Sequence, residues 1–365
     1  MNQLNEKAAF FSEHLLQEMR TKADPIADTV VHYLMQSGQR EKLSFYWKII
    51  ESKEKPSSEI PFELQSYLSQ TESVPSWVDL RRLERGQRFF ARNARSILSI
   101  LGCLSLPYCY AAADGAQVLL LSQRIHQDTY QRLAETAQFL LDVSSPKAFS
   151  TGNGIQRIQQ VRLIHAISRY YASHSPQWNA QWGTPVNQED MAGTNLAFSY
   201  IVLQGLQKLG FQWTKDEGED FLYLWNIIGA MLGVDQQLLP NNLQEAYWLD
   251  KKIAKRHFHH SVAGAALTQS LLTCLYEINK DSPVSRNFIH AYMRYLLSNS
   301  IADMLEIPSA DGVNTLAPLF RSTNVLNALT RVGKWEEKPQ YITQTLAYEL
   351  KQGVDTHLRL PVAFG

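Results

Sequence analysis

The sequence has few cysteines, no excess of charge of either sign and no long apolar run, and each absence excludes a class of protein. Three cysteines in 365 residues, with no paired metal spacing, argue against a disulfide framework or a cysteine zinc site. Lys plus Arg equals Asp plus Glu at 35 each, so the basic excess typical of a nucleic-acid-binding protein is missing. Polar residues or glycine interrupt every apolar segment before the roughly 20 residues that a membrane span needs.

Targeting and nucleotide-binding signals are also missing. The segment Met1–Lys7 has no basic start and no apolar run of signal-peptide length. Cys103, Cys109 and Cys274 lie in apolar segments, so we expect buried free thiols and a soluble, cytoplasmic protein. There is no glycine-rich dinucleotide fingerprint, phosphate loop or Gly-x-Ser-x-Gly elbow.

Apolar residues recur at helical spacing along most of the chain, which predicts an all-α fold. We predict a helical extension over residues 1–75 and a single large helical domain over 76–365, with the turn at Pro75–Asp79 between them. Hydrophobic residues make up 45% of the chain, enough for a large core and an apolar pocket. The predicted helices cover residues 5–22, 26–37, 79–95, 97–111, 114–122, 128–143, 155–174, 188–209, 217–233, 243–252 and 259–279, with at least two more between 284 and 350.

His165 is the first candidate functional residue, because it stands on an apolar helical stretch between two arginines. Residues three and four apart share a helix face, so Arg162, His165 and Arg169 line up. Such positive charge is costly against a core unless an anion meets it. A haem would supply two propionates and an iron that prefers imidazole. From spacing alone, the favoured interpretation is a half-exposed polar stripe with a hydrogen-bonded histidine.

A second candidate group lies about 30 residues earlier, at Arg132, Glu135 and Thr136. Arg132 and Thr136 share a helix face, and Glu135 is placed to pair with Arg132. The alternative is an ordinary surface ion pair, which is common and weak. Two further histidine candidates are less specific. His257 and His260 share a helix face but lack a third ligand, and His126 is a possible distal ligand only.

Several short motifs follow one another over about residues 76–275. They are Ser105-Leu106-Pro107 with Tyr110-Ala111, Arg132 with Thr136, Val161–Ala166 with Arg169, Asn187–Asp190 with Gly193-Thr194 and Phe198-Ser199, Gly205-Leu206 with Gly210, and Trp225, Ile228-Gly229, Leu232–Val234 and Leu239-Pro240. This ordered set resembles the oxygenase family that contains the bacterial latex-clearing proteins (rubber oxygenases) and the fungal oxygenase of mycophenolic acid biosynthesis.

The resemblance implies a mostly helical fold with a globin-like core, extra terminal helices and one haem b. It implies that His165 is the axial iron ligand and that Arg132 and Thr136 lie near the haem on the other side. It also implies that Thr194 borders the pocket. The implied activity is that of an oxygenase using dioxygen on an apolar small-molecule substrate, such as an unsaturated or isoprenoid compound. The alternatives are a haem- or gas-binding protein without turnover and a helical scaffold without a cofactor.

The sequence departs from the rubber oxygenases at two positions. Glu135 stands where those enzymes carry a lysine that can reach the iron. They also use a glutamate on the preceding helix, where this chain has Asp114 as the only acid. We therefore do not expect rubber cleavage itself. Glu135 is interpreted as a weak ligand of ferric iron, as a catalytic base, or as a partner that pairs with Arg132.

Overall fold

The structure is a computed structural model that describes residues 11–52, 60–121, 129–281 and 284–310, together with Thr343, Leu350 and Leu358. Within these ranges the regular secondary structure is helical, and the chain forms no sheet beyond an isolated bridge between Ala112 and Phe258. The predicted all-α fold is confirmed. None of the helices in the described ranges has both the length and the apolar character needed to cross a membrane.

The helices before residue 76 pack against the helix that carries His165. They are α1 (Glu13–Met19), α2 (Pro25–Gln36), α3 (Leu43–Ser52) and α4 (Phe62–Thr71). A buried cluster joins Val30 and Tyr67 from these helices to Leu163 and Ile167, on either side of His165. The domain boundary near residue 76 stays a prediction, but the segment before it is packed on the rest of the fold.

The described part of the chain after residue 76 adds a bundle of further helices. They are α5 (Leu80–Ile100), α6 (Leu106–Tyr110), α7 (Ala113–Leu121), α8 (Thr129–Ser144), α9 (Asn153–His174), α10 (Gln188–Phe198), α11 (Tyr200–Lys208), α12 (Lys215–Met231), α13 (Leu243–His257), α14 (Val262–Ile278), α15 (Arg286–Leu297) and α16 (Asn299–Met304). Helices α5 and α12 approach closely because Gly86 has no side chain; a Cβ there would stand 2.4 Å from the carbonyl oxygen of Asp220.

Helices α5 and α6 form one continuous rod joined by a π-helical turn over Leu101–Ser105. The spacing predicted two helices with a break near residue 96, and this break is absent. The reason for the π turn is Pro107, which has no N–H and whose ring would clash with the carbonyl four residues earlier in a regular helix. The wider turn removes that clash and directs α6 onward to the cavity described below.

The segment predicted as one helix over 188–209 is broken at Ser199, with φ −114° and ψ −83°. The fully buried Ser199 hydroxyl donates a 2.7 Å hydrogen bond to the carbonyl of Asn195. Side-chain bonds of this kind compete with the helical backbone pattern and bend helices. The break separates α10, which faces the cavity, from α11.

Candidate functional site

A cavity of about 390 Å³ lies where α6, α8, α9, α10 and α13 converge. Most of its wall is apolar, including Leu133, Phe139, Val161, Ile164, Leu196, Phe198, Trp225, Leu232, Leu267 and Leu271. Concave, mostly apolar sites with a few polar groups are typical of small-molecule and cofactor binding.

Polar side chains enter the cavity in two groups. The first, which we call the histidine group, comes from α8 and α9 and consists of Arg132, Glu135, Thr136 and His165. The second, the acidic group, comes from α6, α10 and α13 and consists of Tyr108, Cys109, Asp190, Thr194 and Asp250. The structure thus brings together five predicted site residues: the whole histidine group and Thr194.

His165 has no hydrogen-bond partner among the described residues, and its Nδ1 is buried. Burial, and to a lesser degree the positive charge of Arg169, lowers the pKa of His165 to about 4. The imidazole is therefore neutral at physiological pH, which is the form that ligates metals. A buried ring nitrogen without a partner costs free energy unless a ligand uses the ring.

Arg162 points away from the cavity into an ion pair with the N-terminal segment. Its Nε and Nη2 atoms lie 2.6 and 2.7 Å from the two carboxylate oxygens of Asp24, and its Nη1 donates to the carbonyl of Met231 at 3.1 Å. Both side chains are nearly fully buried. This two-pronged pairing is the strong geometry for an arginine and a carboxylate.

Arg169 is also paired with α2, since its Nε lies 2.8 Å from Oδ1 of Asp28. Its Nη1 donates to the carbonyl of Val186, a cavity-lining residue with φ +50°. A β-branched residue rarely adopts a positive φ, so this bond helps to hold a strained loop at the cavity. Both arginines that flank His165 are therefore paired with protein carboxylates. The contacts of Arg162 and Arg169 with haem propionates stay a prediction.

The rest of the histidine group is held by local bonds along α8. Gln131 donates to the carboxylate of the buried Glu135 at 3.1 Å. The Thr136 hydroxyl donates to the carbonyl of Arg132 at 2.7 Å. Burial raises the pKa of Tyr110, which also lines the cavity, to about 12 although the Arg132 charge opposes this. Arg132 therefore supplies positive charge to the cavity wall.

The sequence did not identify the acidic group apart from Thr194. The Tyr108 hydroxyl donates a 2.6 Å hydrogen bond to the buried carboxylate of Asp250. The Thr194 hydroxyl donates to the carbonyl of Asp190 at 2.9 Å. No sequence signal marked the Tyr108–Asp250 pair, because its members are 142 residues apart and meet only in the folded chain.

The other histidine and acid candidates lie outside the cavity wall. His257 is buried, with Nε2 2.9 Å from Glu189, and His260 is exposed, with Nε2 2.7 Å from Glu306. Asp114 pairs with Arg20 at 3.1 Å. His126 lies outside the described residues. Across the described ranges, no three or more His, Cys, Asp or Glu side chains are grouped to hold a metal ion.

The cysteines are free thiols, as predicted. Burial raises the pKa of Cys103 and Cys109 to about 12 and that of Cys274 to about 11. The thiols are therefore protonated at neutral pH and are poor nucleophiles or metal ligands.

A family model for the catalytic domain of ER-bound oxygenase mpaB/B' and rubber oxygenase matches residues 105–329, which is more than half of the chain. The chain belongs to this oxygenase family. The resemblance inferred from the sequence motifs is thereby confirmed, and the match spans every residue of both cavity groups.

Two relatives extend this finding. A rubber oxygenase from Streptomyces sp. (strain K30) is 26% identical over 250 residues, covering 67% of this chain. The match spans 61% of that relative's own length. A solved structure of the latex clearing protein LCP in the closed state has a TM-score of 0.75 and 20% identity, covering 95% of this chain and 94% of that one. The two chains therefore share a fold.

The lowered pKa of His165 predicts a pH effect on the stability of the cofactor-free protein. The unfolded chain takes up a proton near pH 6.5, but the folded chain does so only near pH 4. Between about pH 6.5 and about pH 4 the unfolded state therefore binds more protons than the folded state. The free energy of unfolding decreases as the pH falls from about 6.5 to about 4. In urea unfolding, His165→Leu should lose less stability than wild type over this interval. His259→Leu, at an exposed histidine, should follow the wild-type curve; parallel curves for wild type and His165→Leu would contradict the prediction.

Proposed function

We propose that this protein is a haem b-dependent oxygenase that uses dioxygen on an apolar substrate of the unsaturated or isoprenoid kind. The observation that carries the proposal is His165, a neutral imidazole on the wall of an apolar cavity with no hydrogen-bond partner in the described part of the chain. Membership of the oxygenase family supports the same reaction class.

The residues present fit a haem. His165 would ligate the iron, and the buried ring has no competing hydrogen bond within the described chain. Arg132 lies on the same wall, and its guanidinium is of the type that binds carboxylates such as a propionate. The leucine, phenylalanine and tryptophan side chains of the wall match the apolar faces of a porphyrin. When bound, the haem would supply the one-electron and dioxygen chemistry that side chains lack.

The protein's own contribution would be polarity, proton handling and exclusion of water. The Thr136 oxygen and the Arg132 guanidinium would provide hydrogen bonds and charge at one point of an otherwise apolar cavity. Glu135, buried beside them, would accept or hold a proton. The apolar wall would bind the substrate and strengthen these interactions by excluding water.

The absorption spectrum of the purified protein tests the proposal. We expect a Soret band that shifts on reduction with dithionite and again on addition of carbon monoxide. We also expect consumption of dioxygen with an isoprenoid or unsaturated lipid panel. A protein that neither carries haem when isolated nor takes it up when haem is added would overturn the proposal.

The second candidate is a haem protein that binds gas without turnover. The observation that favours it is Asp114, the only acid of α7, which is paired with Arg20 and does not line the cavity. Haem binding with reversible dioxygen or carbon monoxide binding, and no substrate oxidation across the panel, would support this function over the oxygenase.

Replacing Glu135 with glutamine should separate proton transfer from haem binding. The change keeps the shape of the side chain and removes its charge, so haem content should stay at the wild-type level. Turnover should fall by about 10²-fold or more if Glu135 acts as the base. Asp142→Asn is the matched control, because Asp142 lies on the same helix and pairs with Arg157 away from the cavity. Equal turnover of Glu135→Gln and wild type would exclude the base.

A further inference from the structure

The acidic group contains a hydrogen-bonded pair, Tyr108 and Asp250, that the proposed oxygenase reaction does not use. The two side chains come from α6 and α13, whereas the histidine group comes from α8 and α9. The cavity therefore has a second polar region on different helices, separated in the chain from the proposed haem ligand.

The carboxylate of Asp250 is only partly satisfied. The residue is 4% exposed and lines the cavity. One oxygen, Oδ1, accepts the Tyr108 hydroxyl at 2.6 Å, while the other accepts no hydrogen bond from any described residue. No lysine, arginine or histidine of the described chain lies within 4.0 Å of the carboxylate to form an ion pair.

A buried carboxylate with one hydrogen bond and no paired cation is unfavourable unless a further donor reaches it. Burial raises the pKa of Asp250, although the Tyr108 hydrogen bond and the Lys251 charge oppose this, and burial followed by the Asp250 charge raises the pKa of Tyr200. Apolar side chains, including Leu106, Phe258 and Ile253, line the same cavity. A water molecule or the polar end of a ligand can donate to the second oxygen, and only a ligand with an apolar skeleton also covers the apolar wall.

We propose that the Tyr108–Asp250 pair binds the hydroxyl group of an amphipathic substrate, so that the cavity selects an isoprenoid alcohol over the hydrocarbon of the same skeleton. The ligand O–H donates to the free oxygen of Asp250, and the carbon chain lies along the apolar wall. This inference rests on the proposed function for the class of carbon skeleton, and it adds the polar end of the substrate. A single uncharged hydroxyl matches a site with one open acceptor oxygen and no ion-pair partner within 4.0 Å among the described residues.

Equilibrium dialysis with two ligands tests the inference. The ligands are farnesol and the hydrocarbon that differs from it only by the missing hydroxyl. Wild-type protein should bind the alcohol about tenfold more tightly, because a hydrogen bond to a charged acceptor contributes more than one between neutral groups. Equal affinity for the two ligands would overturn the inference without any variant.

Asp250→Leu and Tyr108→Phe divide the effect between the two side chains. Asp250→Leu removes the acceptor at similar volume, so it should weaken farnesol binding about tenfold and leave hydrocarbon binding unchanged or tighter. Tyr108→Phe leaves the Asp250 carboxylate in place and should keep the preference for the alcohol. Asp216→Leu, at an exposed aspartate at the start of α12, is the control and should bind both ligands like wild type. A parallel loss of both ligands in Asp250→Leu would contradict the inference.

The haem content of each sample separates this inference from the proposed function. If protein that takes up no haem still binds the alcohol more tightly, the inference about the Tyr108–Asp250 site is supported and the proposal of an oxygenase is overturned. If haem-bound protein binds the two ligands with equal affinity, the proposal of an oxygenase stands and the inference about the Tyr108–Asp250 site is overturned.

Discussion

Replacing His165 with alanine is expected to lower the haem content of the purified protein by about 100-fold and to remove the Soret band. His165 is the only imidazole of the described chain that lines the cavity. Its loss would remove the nitrogen ligand, and loss of even an outer partner of a metal ligand costs 10–100-fold in affinity. Haem content is measured from the absorption spectrum and from the extracted cofactor.

The same experiment separates a ligand from a structural histidine. His174→Ala is the matched control, since His174 lies on the same helix, is exposed and is outside the cavity wall. Free imidazole should restore a haem spectrum to His165→Ala, because it can occupy the space that the side chain vacates. Full haem content with an unchanged spectrum in His165→Ala would exclude His165 as the iron ligand.

Replacing Asp24 with alanine is expected to lower the free energy of unfolding by about 3–5 kcal/mol. The change leaves the guanidinium of Arg162 buried and without its hydrogen-bonded carboxylate, and a buried charge that loses its ion-pair partner is strongly destabilising. Urea unfolding followed by circular dichroism measures the loss.

Two further variants show whether the cost comes from the stranded charge. Asp24→Leu combined with Arg162→Met should be much more stable than Asp24→Ala, since apolar replacement of both partners of a buried pair is often nearly neutral. Glu84→Ala removes an exposed partner of Arg88 in a 3.7 Å pair and should change stability by less than about 1 kcal/mol. A loss from Asp24→Ala as small as that from Glu84→Ala would contradict the assignment.

The sequence predicted features that depend on helical period. The apolar spacing was sufficient for the all-α fold and for placing His165 on a helix with flanking arginines. The i, i+4 relation of Arg132 and Thr136 placed both on one cavity wall. The period is a local property of the chain, so these predictions needed no knowledge of which helices meet.

Features set by contacts between distant segments were not predictable in this way. The spacing aligned Arg162 with His165 but did not show that α2 would place Asp24 against the guanidinium. A side chain at the edge of a helical stripe turns toward whichever neighbour offers an opposite charge, and that neighbour is 138 residues away. Likewise, the π turn before Pro107 and the break at Ser199 depend on local backbone competition that hydrophobic spacing does not report.

The two ion pairs from α2 to α9 also determine how short the protein can be made. The family match begins at residue 105, yet Arg162 and Arg169 receive their carboxylates from Asp24 and Asp28. A fragment trimmed to the matched region would lose both carboxylates and the helices that cover Arg162 and Arg169, and it would expose the apolar cluster around Leu163 and Ile167. We therefore expect a stable fragment to include the segment that begins at Asp24.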